Sequence, residues 1–232
     1  MDKLFDDKIK NIINSTLQTS KDKKIDEAFS SQQKQFNIKT DFLSSANVQN
    51  HIDLYKDYIT NFNRCSAELD TVDKENATSN HSTYRSVKND ETFNMNGVYL
   101  HELYFANIAD NGSQISMDTL AYMRLSRDFG SFDEWQRDFM ACAKSARCGW
   151  AVTYLNMYTQ SLMNCFIDLH SQNVPAGMYP VIVIDMWQHA YYKDYLKDAN
   201  TYLTAMMKQL RWSVIEKRIE KADKIVGIIR GS

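Results

Sequence analysis

Asp185-Met-Trp-Gln-His-Ala-Tyr-Tyr192 is the stretch that says most about how this chain folds. It follows Pro180-Val-Ile-Val-Ile184, a short β-branched run that predicts a buried strand. A strand end holds a carboxylate rigidly, and His189 falls on the same side as Asp185 once the chain turns helical. A carboxylate and an imidazole together suit a borderline cation such as iron, manganese or zinc. Alone, the pair is weak evidence for a metal, because a capping Asp and a hydrogen-bonded His give the same spacing.

The residues before this stretch predict the rest of a small sheet. Residues 150–169 alternate loosely and carry Val, Thr, Tyr, Phe and Ile, which predicts two strands joined by a turn near 157–160. At Ser131, a Glu three residues later forms a capping box, and we expect a helix from there through Phe139.

Helices are predicted on both sides of the sheet. After it, we expect one helix over 200–211 and another from Ser213, where Glu216 forms a second capping box. Before it, a polar segment over 71–90 separates a helix over 98–108 from an earlier helix of about four turns. That earlier helix is indicated by an apolar stripe with steps of four, three, four and three residues: Val48, Ile52, Tyr55, Ile59 and Phe62. Helices followed by a small sheet with helices around it form an α+β layout.

Composition excludes several classes of protein. The 232 residues carry a formal net charge of −2, which argues against a nucleic-acid-binding protein that works through a basic surface. No run approaches the roughly 18 apolar residues of a membrane span, and the N-terminus shows no signal peptide. The four cysteines are widely spaced, as free thiols in a reducing compartment are. We therefore expect an intracellular, cytoplasmic protein, with no membrane and no nucleic acid among its partners.

The chain has five histidines, and two besides His189 lie in predicted helices. His101 is flanked by aromatic residues in the second helix, and His51 lies beside the apolar stripe of the first. A lone His on an apolar helix face is more often a hydrogen-bonded core residue than a metal ligand, so neither is persuasive singly. The two histidines become candidate metal ligands only in combination with the motifs around them.

Several motifs together resemble the iron/manganese superoxide dismutase family. The 185–192 stretch is similar to that family's DxWEHAYY signature, and Asp128-Phe-Gly-Ser131 followed by Gly149-Trp150 is similar to its DFGS and GW landmarks. Asn96 to Phe105 resembles the segment of the second helix that carries a ligand, and Tyr58-Ile-Thr-Asn-Phe-Asn63 resembles the YVNxxN segment. The resemblance runs from about residue 40 to about residue 220.

The resemblance implies an N-terminal helical hairpin, 41–112, followed by an α/β domain, 113–232, with a small three-stranded antiparallel sheet. Residues 1–40 form an N-terminal extension of unknown role. Within 1–35, which are polar, we expect a peripheral helix or a loosely held arm. The implied activity is antioxidant: conversion of superoxide to oxygen and hydrogen peroxide at one Fe or Mn ion per subunit. The implied metal ligands are His51, His101, Asp185 and His189.

The resemblance also implies roles around the metal. His170, fifteen residues before Asp185, is the expected partner of metal-bound solvent, with Gln172 as the alternative, and Tyr58 is the gateway residue. The remaining residues implied to surround the ligands are Trp150, Trp187, Tyr104, Phe105 and Tyr55. A homodimer, or a dimer of dimers, is expected, with an interface that includes Gln188, Tyr192 and Cys148.

The sequence departs from the family pattern at the gateway and at the subunit contact. His51 precedes Tyr58 by seven residues instead of eight, a difference of about 100° around a helix. Tyr55 replaces the gateway His, and Gln188 replaces the Glu that reaches across the dimer. An Arg pair that attracts superoxide is replaced by Asp198-Ala199.

These departures leave one main alternative to an active dismutase. It is a dismutase-fold metal-binding protein with a structural or interaction role and little turnover. A metal-dependent hydrolase or dioxygenase on another fold is disfavoured, because no HExxH-like pattern accompanies the histidines.

Overall fold

The computed structural model describes residues 31–108 and 114–230, so residues 1–30 of the predicted N-terminal helix or arm lie outside it. Within these ranges the helices are α1 (Ser45–Thr71), α2 (Thr83–Asn107), α3 (Leu120–Phe129), α4 (Phe132–Ser145), α5 (Gln188–Tyr195), α6 (Ala199–Lys208) and α7 (Trp212–Arg230). The strands are β1 (Gly149–Asn156), β2 (Leu162–Asp168) and β3 (Met178–Asp185). The α+β prediction is confirmed.

The two N-terminal helices pack along each other as a hairpin. Ser44 caps α1 by accepting a hydrogen bond from the Asn47 amide, and Ser82 caps α2 in the same way. Both helices are longer than predicted, because apolar periodicity marks only the buried part of a helix. The polar segment 71–90 was expected to hold a loop and the start of a helix, and its residues 83–90 form the first turns of α2.

The sheet is antiparallel, with strand order β2-β1-β3. Its central strand β1 is almost entirely buried, between the other two. In the register of β1 with β3, Trp150 lies opposite Asp185. The sheet therefore brings the GW motif and the start of the DMWQHAYY stretch side by side.

A tight corner joins α3 to α4. Gly130 ends α3 in the left-handed region, with φ at 87°, where a residue without a Cβ is favoured. Ser131 then caps α4 by accepting from the Glu134 amide, as predicted. The DFGS motif is thus the turn between two helices of the C-terminal part.

The capping box predicted at Ser213 and Glu216 is wrong. Ser213 lies within α7, and the Glu216 carboxylate accepts the backbone N–H groups of Leu120 and Ala121, each at 2.7 Å. The acid therefore caps α3, a helix nearly a hundred residues earlier in the chain. A Ser-x-x-Glu pattern predicts only a local cap, and a tertiary contact overrides it here.

One apolar core joins the hairpin to the sheet and the C-terminal helices. It includes Tyr55 and Tyr104 from the hairpin, Trp150 from β1 and Tyr202 from α6, all fully buried. None of the helices in the described ranges is long and apolar enough to cross a membrane.

Candidate metal site

Four residues from four elements meet between the hairpin and the sheet. His51 comes from α1, His101 from α2, Asp185 from the end of β3 and His189 from α5. Their potential ligand atoms all lie within 4.8 Å of one another. The first three are buried, and the His189 side chain is 24% exposed. The structure thus brings together the four residues that the resemblance implied as ligands.

The Asp185 carboxylate is the centre of this cluster. Its Oδ2 lies 3.1 Å from Nε2 of His51, 3.1 Å from Nε2 of His189 and 3.7 Å from Nε2 of His101. Its Oδ1 accepts the Trp187 amide at 2.8 Å, which fixes the plane of the carboxylate. Three ring nitrogens therefore converge on one carboxylate oxygen.

The hydrogen bonding of His101 shows that the site fits a metal. Its Nδ1 lies 2.6 Å from the Gly97 carbonyl oxygen, which only accepts, so the ring proton is on Nδ1. Its Nε2 then carries a lone pair, is buried, and has no hydrogen-bond partner among the described residues. An unpartnered buried polar atom is costly, and a cation between the rings would satisfy it. Three imidazoles and one carboxylate suit iron, manganese or zinc.

Electrostatics favour the protonation states that bind a metal. Burial lowers the pKa of His51, and lowers the pKa of His101 well below its ordinary value. Burial alone would raise the pKa of Asp185, but electrostatic and hydrogen-bond interactions with the His189 and His51 rings hold it well below its usual range. Neutral imidazoles and an ionised carboxylate are the forms that act as ligands.

Aromatic rings surround the cluster. Trp187 stacks on His189 with 5.6 Å between ring centroids, and Trp150 meets His101 edge-on at 4.9 Å. Tyr104 and Phe105 contact His51, at 5.2 and 4.9 Å. These contacts orient the imidazoles and exclude water from most of the site, which strengthens electrostatic interactions inside it.

His170 lies next to the cluster without joining it. It is fully buried, and its Nδ1 accepts the Trp150 indole N–H at 2.9 Å. The proton of the neutral ring is therefore on Nε2, which donates to the Tyr58 hydroxyl at 2.8 Å. Burial lowers the pKa of His170 to about 4, so the ring is neutral at physiological pH.

Gln172, the alternative to His170, does not reach the cluster. It is exposed, and its backbone pairs with Asp168 in a tight turn. The chain reverses direction just after β2, which turns His170 inward and leaves Gln172 at the surface. Of these two residues, only His170 therefore lies beside the cluster.

The shortened spacing between His51 and Tyr58 is accommodated in a continuous helix. α1 is uninterrupted from Ser45 to Thr71, so the helix irregularity that an eighth residue would introduce is absent. The Tyr58 ring still reaches His170, because it passes over Gly97. A Cβ at Gly97 would lie 2.8 Å from Tyr58 Cδ1.

Tyr55 is a buried wall of the site, although the resemblance places it at a gateway position. It is fully buried, and its ring lies 6.5 Å from that of His101. Its hydroxyl donates to Glu102 Oε1 at 2.9 Å and accepts the Lys34 amide at 3.1 Å. Both hydrogen bonds of the Tyr55 hydroxyl are therefore made within the chain.

The residues expected at a subunit interface are exposed. Gln188, Tyr192 and Cys148 all lie at the surface of the single chain. Asp198, in place of the Arg pair, caps α6 by accepting from the amide and the hydroxyl of Thr201. Asp198 is therefore a helix-capping residue, which explains why an Asp stands at this position.

Sequence reasoning gave no role at the site to four residues that contact it or its walls: Lys34, Glu102, Phe93 and Asn96. The Phe93 ring lies 4.6 Å from that of His170, and Asn96 donates to the His170 carbonyl at 2.8 Å. Phe93 lies one helical turn before Gly97 on α2, and Asn96 directly precedes that glycine. Extending the second predicted helix toward its N-terminus would have found both residues.

Comparisons with known proteins agree with this site. Residues 118–218 match the family model for the C-terminal domain of iron/manganese superoxide dismutases. The chain is 34% identical over 186 residues to the iron superoxide dismutase of Aquifex aeolicus, which covers 78% of this chain and 86% of that protein. It is 30% identical over 153 residues to manganese superoxide dismutase 1 of Halobacterium salinarum, covering 66% and 76%. A Mn/Fe superoxide dismutase of Aeropyrum pernix is 29% identical over 160 residues, covering 68% and 74%. The chain belongs to the iron/manganese superoxide dismutase family.

Proposed function

We propose that this protein is a superoxide dismutase that holds one Fe or Mn ion per subunit with His51, His101, Asp185 and His189. The observation that carries the proposal is the convergence of three Nε2 atoms on Asp185 Oδ2, with Nε2 of His101 buried and unpartnered in the described part of the chain. The relatives are named for Fe, for Mn and for Mn/Fe, and the donor set suits either metal.

When bound, the ion supplies the redox centre that takes one electron from a superoxide and passes it to a second. The overall reaction turns two superoxide anions and two protons into oxygen and hydrogen peroxide. This chain's residues must therefore hold donatable protons beside the site and exclude other oxidants and excess water.

Tyr58 is the proposed proton donor. Because His170 donates from Nε2 to the Tyr58 oxygen, the hydroxyl hydrogen of Tyr58 is free to point to an anion beside the cluster. Burial, with a smaller effect of the Asp185 charge, raises the pKa of Tyr58 to about 12, so the hydroxyl stays protonated at neutral pH. The Trp150–His170–Tyr58 chain of hydrogen bonds fixes its direction.

The decisive experiment pairs metal analysis with a superoxide assay. We expect the purified chain to contain about one Fe or Mn per subunit and to remove superoxide, and the His101→Ala and Asp185→Asn variants to lose both properties. His81→Asn is the control, because His81 is exposed and lies outside the cluster. Asn also tolerates the left-handed backbone at this position, where φ is 50°. A wild-type chain without metal would contradict the proposal. Full metal content without turnover would support the alternative, a metal-binding protein of the same fold.

We also propose a homodimer. Its support is the exposure of Gln188, Tyr192 and Cys148, which the family resemblance assigns to the subunit contact. Tyr192 is 52% exposed in the single chain, a large aromatic surface that a partner subunit would cover.

A further inference from the structure

Residues 31–36 cross the outer side of the helical hairpin next to the metal site. Ser31 is held at both backbone groups by Asn63 of α1, which accepts its amide at 2.6 Å and donates to its carbonyl at 3.0 Å. Phe36 packs against Tyr55 and Phe105, at 5.9 and 5.2 Å between ring centroids. We call this segment, residues 31–36, the latch.

Lys34 is the centre of the latch. Its backbone N–H donates to the Tyr55 hydroxyl, and its ammonium pairs with the Glu102 carboxylate. The same carboxylate accepts the Tyr55 hydroxyl through its other oxygen. Lys34, Tyr55 and Glu102 thus form a closed ring of three hydrogen bonds.

This ring joins the two helices that carry the first two histidines of the cluster. Tyr55 lies one helical turn after His51 on α1, and Glu102 is next to His101 on α2. The bond between Tyr55 and Glu102 therefore ties α1 to α2 at the level of the metal site. The Glu102 side chain is only 10% exposed, so its charge needs a partner, and Lys34 is the cation that pairs with it.

We propose that Lys34 is a positioning residue for the metal site. It holds the latch closed through Glu102 and Tyr55, and the closed latch keeps His51 and His101 at the spacing that retains the metal. The inference rests on the proposed function, since it needs a metal at the cluster. Lys34 acts through Tyr55 and Glu102 and touches neither the ligands nor the substrate.

The test compares the rate at which the metal-loaded, full-length protein releases its ion to a chelator, well below the unfolding temperature. Lys34→Met keeps the aliphatic stem but removes the charge, and we expect about tenfold faster release, the effect of losing one charge-assisted hydrogen bond. Lys34→Arg restores the charge, and its release rate should approach that of the wild type. Lys39→Met, an exposed lysine five residues on, is the matched control and should not change the rate.

A second measurement separates this inference from the proposed function. Hydrogen exchange of the peptide spanning residues 31–36 should be about tenfold faster in Lys34→Met than in the wild type or in Lys34→Arg. If the wild type bound no metal, the proposed function would fail, and exchange alone would decide whether Lys34 closes the latch. Wild-type release and exchange rates in Lys34→Met, or equal acceleration in Lys39→Met, would overturn the inference.

Discussion

Gly97 shows how a missing side chain shapes the site. Tyr58 occupies the space that any side chain at this position would need, since a Cβ on residue 97 would lie 2.8 Å from its Cδ1. In an exposed helix, Gly→Ala stabilises by about 1 kcal/mol. Here the added methyl collides with a ring that carries the proposed proton donor. The glycine is therefore required by packing and not by backbone conformation.

Gly97→Ala should consequently destabilise the protein. The Tyr58 ring must move, and overpacking of this kind costs about 1–3 kcal/mol, more than the gain in helix propensity. We also expect lower turnover at unchanged metal content, because the Tyr58 hydroxyl leaves His170. Denaturant unfolding and a superoxide assay measure both effects. A variant that is more stable and fully active would show that Tyr58 does not need this space.

His170 is the residue whose role depends most on its two hydrogen bonds. His170→Ala removes the partner of the Tyr58 hydroxyl and leaves the buried Trp150 indole N–H unpaired, which costs about 1–3 kcal/mol for the indole group. We expect metal content near that of the wild type and lower turnover, measured by metal analysis and the superoxide assay. His170→Gln, which keeps a donor and an acceptor, should retain more activity. Complete loss of metal would instead identify His170 as a ligand.

At the scale of elements, α1 and α2 deliver one histidine each and the β3–α5 junction delivers the other two ligands. The seven-residue spacing from His51 to Tyr58 rotates Tyr58 by about 100° relative to an eight-residue spacing. The long Tyr side chain and the empty position at Gly97 absorb this rotation. An uninterrupted α1 and a productive Tyr58–His170 contact are therefore compatible.

Glu216 of α7 stabilises the N-terminus of α3. Its carboxylate accepts two N–H groups at the start of α3, where a negative charge also interacts favourably with the helix dipole. Glu216→Ala should lower the free energy of unfolding by about 1–2 kcal/mol, with unchanged metal content. The matched control is Glu220→Ala, which has the same residue change at an exposed position of α7. Equal effects of the two substitutions in denaturant unfolding would contradict the capping role.

At the scale of the whole molecule, the prediction is an isologous dimer with its axis near Gln188 and Cys148. Gln188 should face the partner subunit's His189. Replacing the family's Glu by Gln removes charge assistance of about 1–2 kcal/mol, whereas a stable interface buries about 1,600 Å² and draws on many contacts.

We therefore expect a dimer at micromolar concentration in sedimentation velocity experiments. Gln188→Glu should restore the charged contact and tighten the dimer about tenfold, whereas Lys39→Glu, an exposed change of charge elsewhere, should leave its dissociation constant unaltered. A stable monomer with full metal content would exclude this interface.

Much of this architecture was predictable because it depends on patterns among residues that are close together in the sequence. The strands over 149–168 follow from β-branched alternation, and the cap at Ser131 follows from its neighbour Glu134. The set of four candidate ligands came from motif resemblance, since no periodicity distinguishes His51 or His101 from a core histidine. Local sequence thus determined the strands and the approximate place of most helices, and the motifs determined the family.

Tertiary structure alone decided the contacts between residues that are far apart in the chain. Glu216 and Leu120 are separated by 96 residues, and Lys34 and Glu102 by 68. It also buried His170 beside the cluster and left Gln172, two residues later in the sequence, exposed at the surface. The physical reason is that hydrogen bonding and burial depend on which surfaces meet in space. A sequence pattern specifies which face of a helix or strand is apolar, but the partner of each polar side chain is set only when those faces pack.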